Sequence, residues 1–487
     1  MDAWTSIVTG WHWGLSGWTI LSISAEILAV LSIPSVLLQR RGQPRAALSW
    51  ILGLMALPFF GVLLWWGIGR NHLKRKREEK AQAHWPVAKG FASLRRYGLD
   101  EEAAAEDGFL PLERIPEEES YGVFPAIPGN RVRILLDGEQ TYGALEEMVR
   151  SAKHHIHFLF YIWRPDAVGI RFRDLLTEKA EEGVEVRILC DAVGSGASRG
   201  GFFEPVERAG GRVAFFMPAQ IFRRRLTLNF RNHRKIAVVD GRAAYTGGLN
   251  LGDEYVKAWR DLGLLIEGPA VTHLQEIFAD DWHYAAKERL GPSGYTRFVE
   301  GLSGGGASCQ IIAGGPDSRH NPTHDAFFIA ITRARRRIWI TSPFLIPDTA
   351  IQTALRTAVY RGVDVRLLVP RKTDAPLTQT AGRSFYPALL STGVRIYEYL
   401  PGILHAKLWI FDGDLASVGS ANLDTRSFKL NFETTCFLGG RDLTRRLADI
   451  FERDLLQSEE ITLEHLKARG AASKILESAT HLLAPLL

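Results

Sequence analysis

Two stretches of this chain carry the same acid, base and amide side chains at the same spacing, His233-x-Lys235-x4-Asp240 and His405-x-Lys407-x4-Asp412. From each His, Lys follows at +2, Asp at +7, Gly at +14 (Gly247, Gly419), Asn at +17 (Asn250, Asn422) and a carboxylate at +28 (Asp261, Glu433). One such string would arise by chance in roughly a few per cent of chains of this composition. Two in common register mark a duplication that kept its polar groups, as a site built across a pseudo-two-fold axis requires.

Those groups suit phosphoryl chemistry. On a strand, residues two apart share a face, so each copy presents its His and Lys together. Lys235, Lys407, Asn250 and Asn422 then surround one phosphodiester with positive charge and donors, which stabilises its transition state without a metal. One His attacks phosphorus; the other protonates the departing alcohol oxygen and later deprotonates the acceptor. The expected path is a covalent phosphohistidine and two in-line displacements, and symmetry alone leaves open which His does which. No His, Cys, Asp or Glu cluster has convincing ligand spacing, so neither a metal nor another cofactor is expected. Asp261 and Glu433 are candidates to accept an imidazole N–H and fix its tautomer. Asp240 and Asp412 complete each motif and count with the catalytic set. Lying seven residues along, they are expected to brace the loops carrying Gly247 and Gly419.

Other eye-catching residues receive the plainer reading. His154, His155 and His157 resemble a metal tract, but only His155 and His157 share a strand face, so packing is expected. Cys190, Cys309 and Cys436 lie far apart in apolar runs and read as small buried hydrophobes. The Arg223 to Arg225 run is either a phosphate grip or a solvated face. Ile475 to Leu487 has apolar positions at helical spacing and is expected to pack on the core.

The elements that must position these groups are strands alternating with helices. Strands are expected at 132–136, 155–163, 184–190, 212–216, 235–240 and 262–266, with helices near 143–152 and 169–182. The second half repeats the order, with strands at 308–312, 337–342, 363–369, 394–398, 407–412 and 434–438 and helices at 325–335 and 349–360. Pro165-Asp166 matches Pro347-Asp348, and Gly183-Val184-Glu185-Val186-Arg187 matches Gly362-Val363-Asp364-Val365-Arg366. The fold class is therefore α/β, two layered units related by a pseudo-two-fold axis.

Ahead of them, residues 17–38 and 46–68 are apolar runs each long enough to cross a hydrocarbon core of about 30 Å, joined by Gln39 to Arg45. Two transmembrane helices are expected, flanked by Trp11, Trp13, Trp18, Trp65 and Trp66 as interfacial anchors. Residues 1–16 hold no Lys or Arg, which disfavours a cleaved signal. Glu26, within the first run, reads as structural. With two spans, three arginines in the turn face five basic residues after the second run (Arg70, Lys74 to Arg77) across the membrane, and the excess favours a cytoplasmic body. Basic clusters at 74–77 and 223–225 in a chain of net charge +5 suit an anionic partner, and the apolar runs select lipid over nucleic acid. The chain divides into a transmembrane hairpin (1–70), a charged linker (71–127) and two α/β units (128–300 and 301–487).

The doubled motif, with Gly247-Gly248-Leu249-Asn250 and Gly419-Ser420-Ala421-Asn422 downstream, resembles the phospholipase D superfamily. Fuller strings resemble the bacterial cardiolipin synthases: Arg40-Arg41 with Pro44, Ala47, Trp50, Leu57-Pro58, Gly61 and Gly69; Gly248 to Tyr255; Gly315-Pro316-Asp317; Ser342 to Asp348; and Gly419 to Ser427 leading to Asn431-Phe432-Glu433. Phe344 stands where that family often has Tyr. The resemblance covers nearly the whole chain and implies condensation of two phosphatidylglycerols to cardiolipin and glycerol in the bacterial inner membrane. It also implies that His233 is the nucleophile and His405 the acid and base, with Glu433 serving His233 and Asp261 serving His405. A membrane-bound phospholipase D, hydrolysing or transferring other phospholipids, shares every one of these residues and is the alternative. A nuclease is disfavoured by the apolar runs, and an inactive scaffold by two intact motifs.

Overall fold

The computed structural model describes residues 17–42, 44–69, 89–91, 108–110, 122–217, 230–257, 259–295, 306–318 and 320–482, with Val87, Ala104, Ile115 and Ala484. The basic clusters at 74–77 and 223–225, Arg70, Trp11, Trp13 and most of the tether lie outside these residues. They form two compact units, an N-terminal anchor and a body.

In the anchor, α1 (Gly17–Gln39) is an apolar helix of 23 residues, long enough to cross a membrane. Glu26 is exposed on it. The second apolar run departs from the continuous span expected at 46–68. α2 (Pro44–Ala56) stops at Leu57, and Pro58 opens α3 (Pro58–Leu64), which runs into a π-helical turn at Trp65–Gly69. Proline disfavours helical dihedrals in the residue before it, and Leu57 stands at φ −135° and ψ 68°. Beyond the break the chain doubles back. A Cβ on Gly61 would stand 2.8 Å from Leu54 Cα and from the Gly53 carbonyl oxygen, so only glycine allows the two backbones to meet there. One turn farther out, the Trp50 and Trp65 rings meet edge to face at 5.2 Å. α2 and α3 are therefore antiparallel.

The body is a mixed α/β unit on one sixteen-stranded sheet. The first half supplies β1 (Ile127–Leu135), β2 (His155–Phe160), β3 (Glu185–Asp191), β4 (Arg212–Phe216), β5 (Arg231–Asn232), β6 (Ile236–Val239), β7 (Ala243–Gly247), β8 (Trp259–Arg260) and β9 (Gly263–Glu267). The second supplies β10 (Ala307–Gly314), β11 (Arg337–Thr341), β12 (Leu345–Ile346), β13 (Asp364–Pro370), β14 (Arg395–Tyr399), β15 (Ile403–Leu404), β16 (Leu408–Phe411), β17 (Leu415–Gly419), β18 (Leu423–Asp424), β19 (Asn431–Gly439) and β20 (Ser458–Ile461). The sheet runs β20-β14-β13-β11-β16-β17-β19-β10-β1-β9-β7-β6-β2-β3-β4, with β5 on β19. β1 and β10 meet antiparallel at the centre, and outward from them the strands correspond one to one, β9 with β19, β7 with β17, β6 with β16, β2 with β11. The pseudo-two-fold axis passes between β1 and β10.

Helices cover the sheet, so its inner strands are buried on both faces; every residue of β2 and of β19 is buried, polar ones such as His157 and Glu433 included. The repeated strings have local causes. Asp166 and Asp348 accept hydrogen bonds from the backbone N–H of Gly169 and Ile351, capping helices Ala167–Glu181 and Thr349–Tyr360. Gly183 and Gly362, at φ +88° and +85°, take the left-handed conformation that ends those helices. Cys190, Cys309 and Cys436 are buried free thiols in β3, β10 and β19. His155 and His157 are buried; His157 stacks on Phe278 at 4.5 Å and bonds Gln275 at 3.1 Å, as packing residues do. At the C-terminus the expected core packing fails. Ile475, Leu476 and Leu482 are mostly exposed, because helix Ala471–His481 lies at the surface and only Thr480 and Ala484 of the segment's described residues are buried.

Candidate active site

His233 with Lys235 and His405 with Lys407 lie just ahead of β6 and β16, so each strand begins after its motif lysine rather than at it. What fixes each histidine is a parallel pairing with the other half. β5 pairs with the start of β19 (Asn232 opposite Phe432), and the His233 N–H donates to the Phe432 carbonyl at 2.9 Å. The next residue on β19 is Glu433. Its carboxylate accepts from His233 Nδ1 at 3.0 and 3.1 Å. In the same way β15 pairs with β8 (Leu404 opposite Arg260), the His405 N–H donates to the Arg260 carbonyl at 2.8 Å, and Asp261 Oδ2 lies 2.6 Å from His405 Nδ1. Each histidine is thus oriented by the carboxylate of the opposite half, and in His233 the Nε2 nitrogen is left to act.

Both lysines are buried beside their histidines. Lys235 Nζ donates to the His233 carbonyl at 2.7 Å and stands 5.3 Å from the Tyr161 ring. Lys407 Nζ lies 2.8 and 3.1 Å from the two ring nitrogens of His405 and also bonds the His405 carbonyl. The histidines differ in this respect, since Lys235 reaches backbone where Lys407 reaches the ring. Electrostatics tie the four groups into one centre: Lys407 lowers the pKa of His233, and Lys235 that of His405.

Burial dominates the protonation states. It pulls His233 down to about 4 against the pull of Glu433, and His405 to about 3, where Lys407 adds to burial and Asp261 opposes it. Burial also brings Lys407 to about 8 and Lys235 well below the ordinary ammonium range. For Asp261, burial is outweighed by Lys407 and His405, and for Glu433 by His233 and Lys235, so both carboxylates stay below their usual range. At neutral pH the site holds ionised carboxylates and neutral imidazoles with Nδ1–H donated inward. A phosphodiester anion between the lysines would favour protonation of both lysines and of the one imidazole that acts as acid, leaving the other neutral to attack.

The asparagines are buried but engaged with neighbours. Asn250 Oδ1 accepts from the Ile162 N–H at 3.2 Å and its amide nitrogen faces the Tyr255 hydroxyl at 3.4 Å, while Asn422 Nδ2 donates to Asp424 at 3.1 Å. Asp240 and Asp412 depart from the expected catalytic set. Asp240 lies five residues beyond Lys235, roughly 16 Å along an extended chain, and accepts from the backbone N–H of Lys153, His154 and His155 at 2.8 to 2.9 Å. Asp412 does the same for Arg335, Arg336 and Arg337. Both sit at positive φ, 54° and 53°. They brace the turns leading into β2 and β11, not the loops at Gly247 and Gly419, because the strands carry them to the end opposite the histidines.

Four neighbours escaped the sequence reading. The Ser420 hydroxyl donates to Glu433 at 2.5 Å and Asn431 Nδ2 at 3.0 Å. Tyr161 meets the His233 ring edge to face at 5.0 Å, and Trp259 meets His405 at 4.7 Å. The signal for three of them was present, since Ser420 directly follows Gly419, and Trp259 and Asn431 each precede an orienting carboxylate by two positions.

The sequence matches the family described as cardiolipin synthase, PLD-like domain, over residues 145–282 and 327–455, the stretches that hold both histidines and both orienting acids. The chain belongs to the cardiolipin synthase family. Among its relatives, cardiolipin synthase of Geobacillus thermodenitrificans (strain NG80-2) is 38% identical over 98% of this chain and 95% of its own length. Cardiolipin synthase 2 of Bacillus cereus (strain ATCC 14579) is 39% identical over 93% of this chain and 89% of its own. The solved phosphatidylserine synthase of Haemophilus influenzae Rd KW20 superposes with a TM-score of 0.58 at 13% identity, covering 80% of this chain and all of that one, and so shares the fold.

Proposed function

We propose that this member of the cardiolipin synthase family transfers a phosphatidyl group between two phosphatidylglycerol molecules, releasing cardiolipin and glycerol. The observation that carries the reading is the crossed pair of histidine–carboxylate contacts, which brings one imidazole and one lysine from each half to a single buried centre. His233 Nε2 attacks the donor phosphorus, and the bond from phosphorus to the glycerol oxygen breaks as His405 delivers a proton to that oxygen. Glycerol leaves. His405, now neutral, takes the proton from a hydroxyl of the second phosphatidylglycerol, whose oxygen displaces His233 from phosphorus. Lys235 and Lys407 hold the phosphoryl oxygens throughout. Asn250 and Asn422 stand beside them as further donors once their present neighbours yield, and Asp240 and Asp412 act only by holding the scaffold.

The open Nε2 of His233 supports its role as nucleophile, because Lys407 lies against both ring nitrogens of His405. The lysine pair supports chemistry that proceeds without a metal. α1 supports residence in the cell membrane, and the excess of basic residues after the apolar runs supports a body on the cytoplasmic side with anionic phospholipid rather than nucleic acid as the partner. The same reading keeps 128–300 and 301–487 as the two duplicated units. Purified full-length protein supplied with phosphatidylglycerol in mixed micelles should yield cardiolipin and glycerol in equal amounts. Phosphatidic acid as the sole product would instead make it a phospholipase D.

A further inference from the structure

We infer that the anchor crosses the bilayer once, through α1, and that α2 and α3 form a re-entrant wedge seated in a single leaflet, the one at whose surface the chain leaves the anchor. Direction decides it. The indole Nε1 of Trp66 donates to Ser32 Oγ at 2.9 Å, and farther along both helices the Arg40 guanidinium donates to the Gly69 carbonyl at 2.9 Å. α3 therefore runs parallel to α1, and both end at the level of the turn Arg40 to Gly42. Length agrees. The 13 residues of α2 rise about 20 Å, short of a hydrocarbon core of about 30 Å.

The wedge has the surface such a seat requires. Leu52, Met55, Leu57, Phe59, Phe60, Leu63 and Leu64 are exposed around the reversal, with no charged residue among positions 46–69. A backbone break in hydrocarbon is tolerated only where its polar groups are paired. Here the Leu57 N–H reaches the Gly53 carbonyl at 3.1 Å, and the Gly61 N–H reaches that of Leu57 at 2.6 Å.

Charge supplies an independent reason. With two full spans, Arg40, Arg41 and Arg45 oppose Arg70 and Lys74 to Arg77 across the membrane; with one span and a wedge, all eight basic residues gather at one face and residues 1–16 carry none to the other. That face meets the anionic headgroups of the leaflet holding the wedge, the chemical class of the proposed substrate.

The inference rests on the membrane reading of α1, and labelling separates the two. Thr5→Cys, Arg41→Cys and Glu181→Cys are made singly in the full-length chain, whose own cysteines are buried. Each is treated with a membrane-impermeant maleimide in intact spheroplasts and again after permeabilisation. Thr5→Cys should react in intact spheroplasts, and Arg41→Cys and Glu181→Cys only once the membrane is opened. Arg41→Cys reacting from the side opposite Glu181→Cys would overturn the wedge, and all three reacting from one side would overturn the single crossing. Arg41→Cys and Glu181→Cys sharing the outer face, with Thr5→Cys inside, would uphold the wedge while overturning the cytoplasmic body. Recovery of the unextracted chain in the soluble fraction would overturn both the inference and the membrane reading.

Discussion

Replacing Asp261 with Asn should stall the second half of the reaction while sparing the first when the leaving group is activated. Asp261 Oδ1 accepts the Leu262 N–H at 2.8 Å and Oδ2 faces His405 Nδ1 at 2.6 Å. In Asp261→Asn the amide oxygen keeps the Leu262 contact, which turns the –NH2 onto His405 Nδ1. That nitrogen must then accept rather than donate, so the proton moves to Nε2, the nitrogen that has to be free to deprotonate the acceptor. Loss of one hydrogen bond to a buried charge costs about 1.5–3 kcal/mol, roughly ten- to 150-fold in rate. The wrong tautomer adds to this, and turnover should fall about 10³- to 10⁴-fold, the scale of the amide substitution in a Ser-His-Asp triad. Because an activated leaving group needs little acid, a p-nitrophenyl phosphodiester should still give its burst of nitrophenolate and a trapped adduct on His233, followed by very slow release. Glu433→Gln should instead suppress the burst, since it disturbs the nucleophile. If Asp261→Asn abolished the adduct and Glu433→Gln spared it, the crossed assignment would be wrong. A fall in turnover below tenfold would show that the Asp261 contact does not set the tautomer.

Four further outcomes are expected. His233→Ala should abolish cardiolipin formation and the adduct, whereas His405→Ala should still form adduct with an activated donor; equal loss of adduct in both would remove the distinction between their roles. In the ligand-free protein both imidazoles should stay neutral down to about pH 4, as burial lowers His233 to about 4 and His405 to about 3. The unfolded chain takes up those protons near pH 6.5, so this part of its stability is lost as pH falls from there toward 4; a midpoint near 6.5 for either ring in selectively labelled nitrogen-15 spectra would contradict the buried site. Activity should survive EDTA, because the lysines supply the charge a divalent ion would bring, and complete inhibition reversed by a divalent ion would show otherwise. Asp412→Ala should lower stability by about 1–3 kcal/mol through the turn at Arg335 to Arg337 while leaving the specific activity of the folded fraction within about threefold; a large loss of kcat at unchanged denaturation midpoint would return this acid to the site.

Much of this protein is written in its spacing. The doubled His, Lys, Asn and carboxylate register specified the contents of the site, and alternating elements specified a duplicated α/β fold, because side-chain periodicity and local turn chemistry depend on near neighbours alone. Pro165-Asp166 and Gly183 stood out as repeated strings, and the structure gives them local causes, a helix cap and a helix stop. Which carboxylate serves which histidine was not legible, since spacing reports a distance along one half and the decision lies in β5 joining β19 and β15 joining β8, strands far apart in sequence. Asp240 shows the converse. Motif membership kept it with the catalytic residues, and the extended strand carried it to the strand's opposite end. In the anchor, the run 46–68 read as one span through Pro58, whereas the structure breaks the helix there, and the direction taken after the break depends on Gly61 meeting Gly53 and Leu54 and on Trp50 meeting Trp65. Hydropathy measures how much apolar chain there is; only the packing of one helix on another decides whether that chain goes through or turns back.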